Sequence, residues 1–124
     1  MFCANADGTH KIPITIIGKS ERPLCLRNIA VKLPFDYYGQ KSAWMDQIIF
    51  TGWFKEVFIP AIKKKHPDES RKILLLLDNA PAHPSTELLN SIDPTIQVYK
   101  NFIINSLKNQ MHIIFSFLYD FSYR

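Results

Sequence analysis

A chain of 124 residues, 47% hydrophobic and 21% charged, has the size and composition of one small globular domain, which excludes disorder as the default. Fifteen Lys and Arg against eleven Asp and Glu leave a formal charge of +4, a mild lean toward anionic partners such as nucleic acid that many unrelated proteins share. Cys3 and Cys25 make neither a metal-ligand spacing nor a disulfide framework, and no apolar run reaches the roughly 20 residues of a membrane-spanning helix.

Polar residues follow Met1-Phe-Cys-Ala4 at once, so no secretory signal is legible and an intracellular protein is expected. The apolar opening reads as a strand already under way, which points to a start inside a longer domain. Asn5-Ala-Asp-Gly-Thr9 is a turn signal, because Asp7-Gly8 tolerates the positive φ of a tight hairpin. Lys11 to Gly18 is rich in β-branched residues and predicts the second hairpin strand. Pro13 near its start marks an edge or a strand entrance, since proline donates nothing to a ladder.

Residues 19–42 carry Pro23, Pro34 and Gly39 and read as loop, with a short extended piece near Asn28 to Leu33. A helix is expected from Ser42, with Ser42 as N-cap and Asp46 in the first turn. Trp44, Ile48, Ile49, Trp53, Phe54, Val57, Phe58 and Ile62 recur at helical spacing and predict a broad apolar face. Pro60 kinks or divides this helix, and Lys63 to Lys65 place positive charge at its negative end.

Ile73 to Leu77 is five aliphatic residues without alternation, the pattern of a strand buried on both faces. Ser85 to Leu89 reads as a short helix with Pro84 in its first turn, and Thr95 to Tyr99 as a further strand. The order predicts a mixed α/β fold. Met111 to Phe121 is apolar but short, and is interrupted by Ser116, Tyr119 and Asp120. Residues 99–124 are expected to form a divergent, helical tail.

Asp78 ends the aliphatic run, where α/β sheets place their chemistry on the loop after a rigid strand. A carboxylate there either helps to bind a divalent cation, for which hard oxygen ligands suit Mg²⁺ or Mn²⁺, or caps its own turn through backbone N–H groups. Asn79 either orients this carboxylate or holds an Asx-type turn. His83 contacts a phosphate, shuttles a proton or serves the local structure.

The run Ile73-Leu-Leu-Leu-Leu-Asp-Asn-Ala-Pro-Ala-His-Pro84 resembles the second-acid segment of DDE transposases of the pogo and Tigger group. Cys3-Ala-Asn-Ala-Asp-Gly-Thr9, Ile16-Ile-Gly-Lys-Ser20 and Tyr38-Gly-Gln-Lys-Ser-Ala-Trp-Met45 agree with the same family in order. The resemblance implies a partial DDE catalytic core over residues 1–98. It also implies an incomplete RNase H-like fold (a mixed sheet with flanking helices) whose first strand is missing and whose C-terminal part is divergent. By that resemblance Asp78 is a catalytic, metal-holding acid, the second of three. The implied cofactor is Mg²⁺ or Mn²⁺, the implied partner DNA and the implied location the nucleus. The metals of such a site activate water or a 3′-hydroxyl against a phosphodiester. Asp7 lies in the hairpin turn, downstream of where the family carries its first acid.

For the third acid, an ungapped match from Val98 retains Ser106, Leu107 and Met111 and sets His112 at the acid position; a reading-frame change after Val98 explains the tail equally well. An imidazole ligand at His112 removes charge that a two-metal site needs. Nothing around Asp120 matches. With one acid of three, nuclease activity is expected to be absent or negligible.

Lys19, Arg22, Arg27, Lys32 and Lys41 either share a face that contacts DNA phosphates or form a solvated loop. Lys63 to Lys65 with Arg71 and Lys72 is a second basic cluster. Trp44, Trp53 and Phe54 either stack bases or pack a core. No helix-turn-helix candidate is present, so DNA binding is expected to be weak and nonspecific. Two rival functions are a retained non-catalytic module that binds a protein or DNA, and a small metal-dependent phosphohydrolase that uses Asp78 and His83.

Overall fold

A computed structural model describes residues 1–67 and 72–100, and the backbone of 112–117. Strands β1 (Phe2–Asn5) and β2 (Lys11–Ile12) form the expected antiparallel hairpin, with Cys3 opposite Ile12 and Ala4 opposite Lys11. Gly8 takes φ +71° in the turn, where an L side chain would be strained. Asp7 Oδ1 accepts the Thr9 N–H at 3.0 Å and the Thr9 hydroxyl at 2.6 Å. Those bonds, the hydroxyl foremost, hold this exposed carboxyl below its usual range.

The second strand departs from expectation. Proline 13 cannot donate to the ladder, and the regular β1–β2 register ends there; beyond it only Met1 and Thr15 exchange backbone bonds, at 2.7 and 3.1 Å. β3 (Ile14–Gly18) leaves the hairpin and pairs in parallel with β4 (Phe35–Gly39) as a separate two-stranded sheet. The extended piece therefore falls at 35–39, after Pro34, rather than at 28–33, and Leu24–Leu26 form a 3₁₀ turn in the intervening loop. Gly39 passes so close to the Glu21 backbone that a Cβ would overlap it.

The helix also starts later than expected. Asp46 is the N-cap, its Oδ1 accepting the Ile49 N–H at 2.8 Å, and α1 runs Gln47–Trp53. Ser42 instead bonds the Gln40 side chain through its N–H and hydroxyl, and Ala43 at φ +58° prevents helix from starting at residue 42. A π turn, Phe54–Phe58, leads into α2 (Ile59–Lys65), with Pro60 in its first turn. Pro60 divides the helix as expected, its missing N–H tolerated where the hydrogen-bond register changes. Phe50, Trp53, Phe54, Phe58 and Ile62 form the buried face. Trp44 and Ile48, expected on that face, are 54% and 83% exposed. Trp44 lies before the Asp46 cap, outside the helix, and Ile48 lies in the first turn of α1.

β5 (Ile73–Leu77) is buried at all five positions. Ser85 caps α3 (Thr86–Ile92), accepting the Leu88 N–H at 3.2 Å, and β6 (Ile96–Lys100) returns parallel to β5. Lys63 Nζ lies 2.9 Å from Asp93 Oδ2 and ties the end of α2 to the turn before β6. Burial works to raise the Asp93 carboxyl, but the Thr95 and Lys63 hydrogen bonds outweigh it and hold the group low.

β7 (His112–Phe117) lies between β1 and β5, antiparallel to the first and parallel to the second, giving the sheet order β2-β1-β7-β5-β6. The helix expected for the tail is thus replaced by a strand over this span. Ile113, Ile114, Phe115 and Phe117 are β-formers, and two strand edges are there to pair with them. The remainder of the tail, including Asp120, lies outside the described residues, as does Arg71. The helices cover one face of the sheet, where Trp53, Phe54 and Phe58 meet Leu75, Leu77, Leu89, Ile96 and Val98 in a single core. Mixed α/β is the class observed. Among the described residues no helix is long and apolar enough to cross a membrane.

Candidate functional site

Five buried aliphatic residues fix β5 in the sheet, and the chain turns immediately beyond them at Asp78. Pro81 and Pro84 forbid simple continuation of the strand, so residues 78–85 form a loop over its carboxyl end. Asp78 Oδ1 accepts the Ala80 N–H at 3.2 Å, an Asx-type turn made by Asp78 itself rather than by Asn79, which is exposed. The Asp78 side chain is 38% exposed, and the hydrogen bonds described for it all involve Oδ1.

His83 closes the loop from beneath. Its ring is buried, 4.6 Å from the Phe50 ring centroid, and its Nδ1 lies 3.1 Å from the Asp78 carbonyl and 3.2 Å from Asp78 Oδ1. This geometry assigns the proton to Nδ1, which donates to Asp78, and leaves Nε2 buried without a partner. Burial depresses the His83 pKa, the Asp78 carbonyl and charge oppose that, and the nearby Lys100 cation adds to the depression. The imidazole is neutral at pH 7. The ring is buried under the loop and held by Asp78.

Two residues of this site carried no sequence signal. Lys100 ends β6 opposite Leu77, and its Nζ donates to the His83 carbonyl at 2.9 Å. Phe50 comes from α1 to cover the histidine ring. Only the parallel pairing of β5 with β6 and the packing of α1 bring them to the loop.

The other proposed acids and ligands are not brought to Asp78. Register sets Phe2 opposite Phe117 and Asn5 opposite Ile114, so the hairpin turn with Asp7 projects toward the amino end of β5, away from Asp78. The same ladder sets the backbone of His112 opposite Ile73, at the start of β5. Five residues of strand rise, roughly 16 Å, separate that level from Asp78. Neither strand beside β5 carries a carboxylate: β6 is Ile-Gln-Val-Tyr-Lys and β7 is His-Ile-Ile-Phe-Ser-Phe. Among the described residues no three His, Cys, Asp or Glu side chains form a metal-holding group. One carboxylate beside a neutral imidazole and a lysine does not fit a two-metal site, which needs several anionic oxygens.

The proposed DNA contacts divide into separate places. Arg22 and Arg27, joined where Arg27 Nε donates to the Arg22 carbonyl at 3.2 Å, line a cavity of about 700 Å³ with Glu21 and Tyr37. Lys19 and Lys41 follow the paired ends of β3 and β4, where the Gln40 N–H bonds the Gly18 carbonyl at 2.8 Å. Lys32 is exposed on the loop between these strands. Trp53 and Phe54 are fully buried and belong to the core, whereas Trp44 remains half exposed.

A mixed sheet with an acid at the end of its buried strand is the frame of an α/β nuclease-like domain. Residues 1–111 match the family described as DDE superfamily endonuclease, and the chain belongs to that family. The match extends past residue 98, where the family-like part was expected to end. Among curated relatives, human Tigger transposable element-derived protein 7 is 42% identical over 102 residues, covering 77% of this chain and 19% of the relative. Human Jerky protein homolog is 38% identical over 97 residues, covering 73% and 17%. Mouse Tigger transposable element-derived protein 4 is 35% identical over 89 residues, covering 72% and 16%. The chain thus spans less than a fifth of the length of these relatives. No solved structure matches it.

Proposed function

We propose that this chain is a transposable-element-derived piece of a DDE endonuclease core. On this reading it has an RNase H-like sheet, resides in the nucleus, and holds DNA weakly and without sequence preference, but does not cut it. The observation that carries the reading is the isolation of Asp78: both strands flanking β5 lack a carboxylate, and the adjacent ionisable partners are a neutral His83 and Lys100. The four matched motifs and the family assignment support Asp78 as the remaining acid of a site built for Mg²⁺ or Mn²⁺. Supercoiled plasmid incubated with the chain and either metal is expected to stay supercoiled. Reproducible nicking that disappears in Asp78→Asn would refute the inactive part of the reading.

For the DNA contact, the exposed Arg22, Arg27, Lys19 and Lys41 supply charge without base readout, so affinity should fall steeply with salt and be equal for unrelated duplexes. A sequence preference in competition assays would count against it.

A second reading, a folded non-catalytic interaction module, gains from the sheet itself. β7 pairs on both sides between β1 and β5, so no unpaired edge is left at the centre of the sheet, where one would favour aggregation over autonomous folding. The phosphohydrolase alternative loses ground, because a buried His83 cannot meet a substrate.

A further inference from the structure

The cavity of about 700 Å³ beside Glu21, Arg22 and Arg27 has a second kind of wall. Pro23, Leu26, Leu33 and Tyr37 complete its lining, and all four are half-buried. A space of that size encloses a small molecule and is far larger than one phosphate group fills, so phosphate contact alone leaves it unexplained.

Its walls are tied by bonds within the loop between β3 and β4 and by β4 itself. The Tyr37 hydroxyl donates to the Ser20 carbonyl at 2.7 Å, and Gly18 leaves room for it, since a Cβ there would overlap that hydroxyl. On the other strand, Gly39 admits the Glu21 backbone in the same way. The Arg22 N–H donates to the Ser20 hydroxyl oxygen at 3.3 Å, and Arg27 Nε donates to the Arg22 carbonyl at 3.2 Å. Leu26 belongs to the 3₁₀ turn, where its N–H bonds the Pro23 carbonyl at 3.0 Å. A lining held before its ligand arrives loses less freedom on binding.

Each part of the lining matches a part of one ligand. Among the described residues neither guanidinium is ion-paired, and two such planar forks suit the oxygens of a phosphate. An aromatic residue among aliphatic ones suits the face of a nucleobase. The Glu21 carboxylate would repel a phosphate set against it, but it can accept from the exocyclic amino group that cytosine carries and thymine lacks. Bases inside a duplex are stacked and paired, and none can enter a cavity without being flipped out.

We propose that this cavity takes one unpaired nucleotide of a DNA strand, its phosphate on Arg22 and Arg27, its base against Tyr37, Leu26 and Leu33, and its amino group on Glu21. Resting on the reading of the chain as one that holds DNA, the site adds to it a preference for single strands, and among these for dC over dT. Duplex contact keeps no such preference, because a paired base does not reach the cavity.

Fluorescence anisotropy with the full chain at pH 8 and low salt tests the site. Labelled oligo(dC) should bind more tightly than oligo(dT) or a duplex of the same length, and free dCMP should compete with it. Tyr37→Leu should weaken oligo(dC) binding about fivefold or more, the worth of one base–aromatic stack. Tyr37→Phe loses the same bond to Ser20 but keeps the ring, and should retain the preference for the single strand. Equal affinity of the unaltered chain for strand and duplex would overturn the nucleotide site and leave the DNA reading standing, whereas no affinity for either would overturn both. Equal losses in the two Tyr37 variants would overturn the place of the base against the ring. Binding of dCMP without binding of the strand would assign the cavity to a free nucleotide and overturn the single-strand site.

Discussion

Replacing His83 by leucine separates two opposing contributions of the buried imidazole. At pH 8 the wild-type ring is neutral, donates Nδ1–H to Asp78 and leaves Nε2 buried and unpaired. Leucine loses the hydrogen bond, a contribution of about 1–2 kcal/mol, and removes the unpaired nitrogen, a cost of about 1–3 kcal/mol. Contact with Phe50 is kept in kind, so the net change at pH 8 should lie within about 2 kcal/mol of zero. The pH dependence is the sharper signature. Burial holds the folded-state pKa of His83 below its unfolded value of about 6.5, so the unfolded chain binds the proton more readily. The wild-type stability is therefore full above pH 6.5 and falls as pH drops through the unfolded and then the folded pKa, with a slope of at most about 1.4 kcal/mol per pH unit from this group. His83→Leu should lack that component and gain on the wild type between pH 7 and 5. Urea unfolding followed by the fluorescence of buried Trp53 measures the difference at each pH. His10, also depressed by burial and Lys65, would contribute the same sign, and a His10→Gln control leaves the His83 component in place. A stability difference between wild type and His83→Leu that stays constant from pH 8 to 5 would refute the buried, neutral assignment.

Arg22→Ala with Arg27→Ala should weaken binding to a random duplex and flatten the dependence of log K on log salt by about 1.8, if each neutralises one phosphate; fluorescence anisotropy from 20 to 200 mM salt reads the slope. Ala43→Gly should stabilise the chain by about 1 kcal/mol, because a left-handed backbone at φ +58° is strained for alanine; a lower urea midpoint than wild type would contradict this. Leu75→Ala should lower stability by about 2–5 kcal/mol in the same titration, since Leu75 is fully buried in the central strand and its loss leaves a cavity in the core.

Local chemistry was legible in the sequence wherever it depended on neighbours in the chain. The Asp7-Gly8 turn, the doubly buried run from Ile73 to Leu77, the helical spacing of Trp53, Phe54, Phe58 and Ile62, and Asp78 at a strand end all follow from periodicity and backbone preference. The cap at Asp46 instead of Ser42 shows the limit of that reasoning, because both residues suit the role and the left-handed Ala43 decides between them. Strand partners were not legible. Nothing between residues 11 and 18 says that Pro13 ends one sheet and starts another, and nothing from 112 to 117 says that this segment pairs between β1 and β5, because pairing joins residues far apart in sequence. Motif resemblance named Asp78 as an acid of a family site. Only the ladder of the central sheet decided that His112 lies at the far end of the strand, that Asp7 points away, and that Lys100 and a buried His83 are what surround it. Sequence thus marked the candidate residues, and tertiary structure determined their company, because a site requires side chains to meet in space.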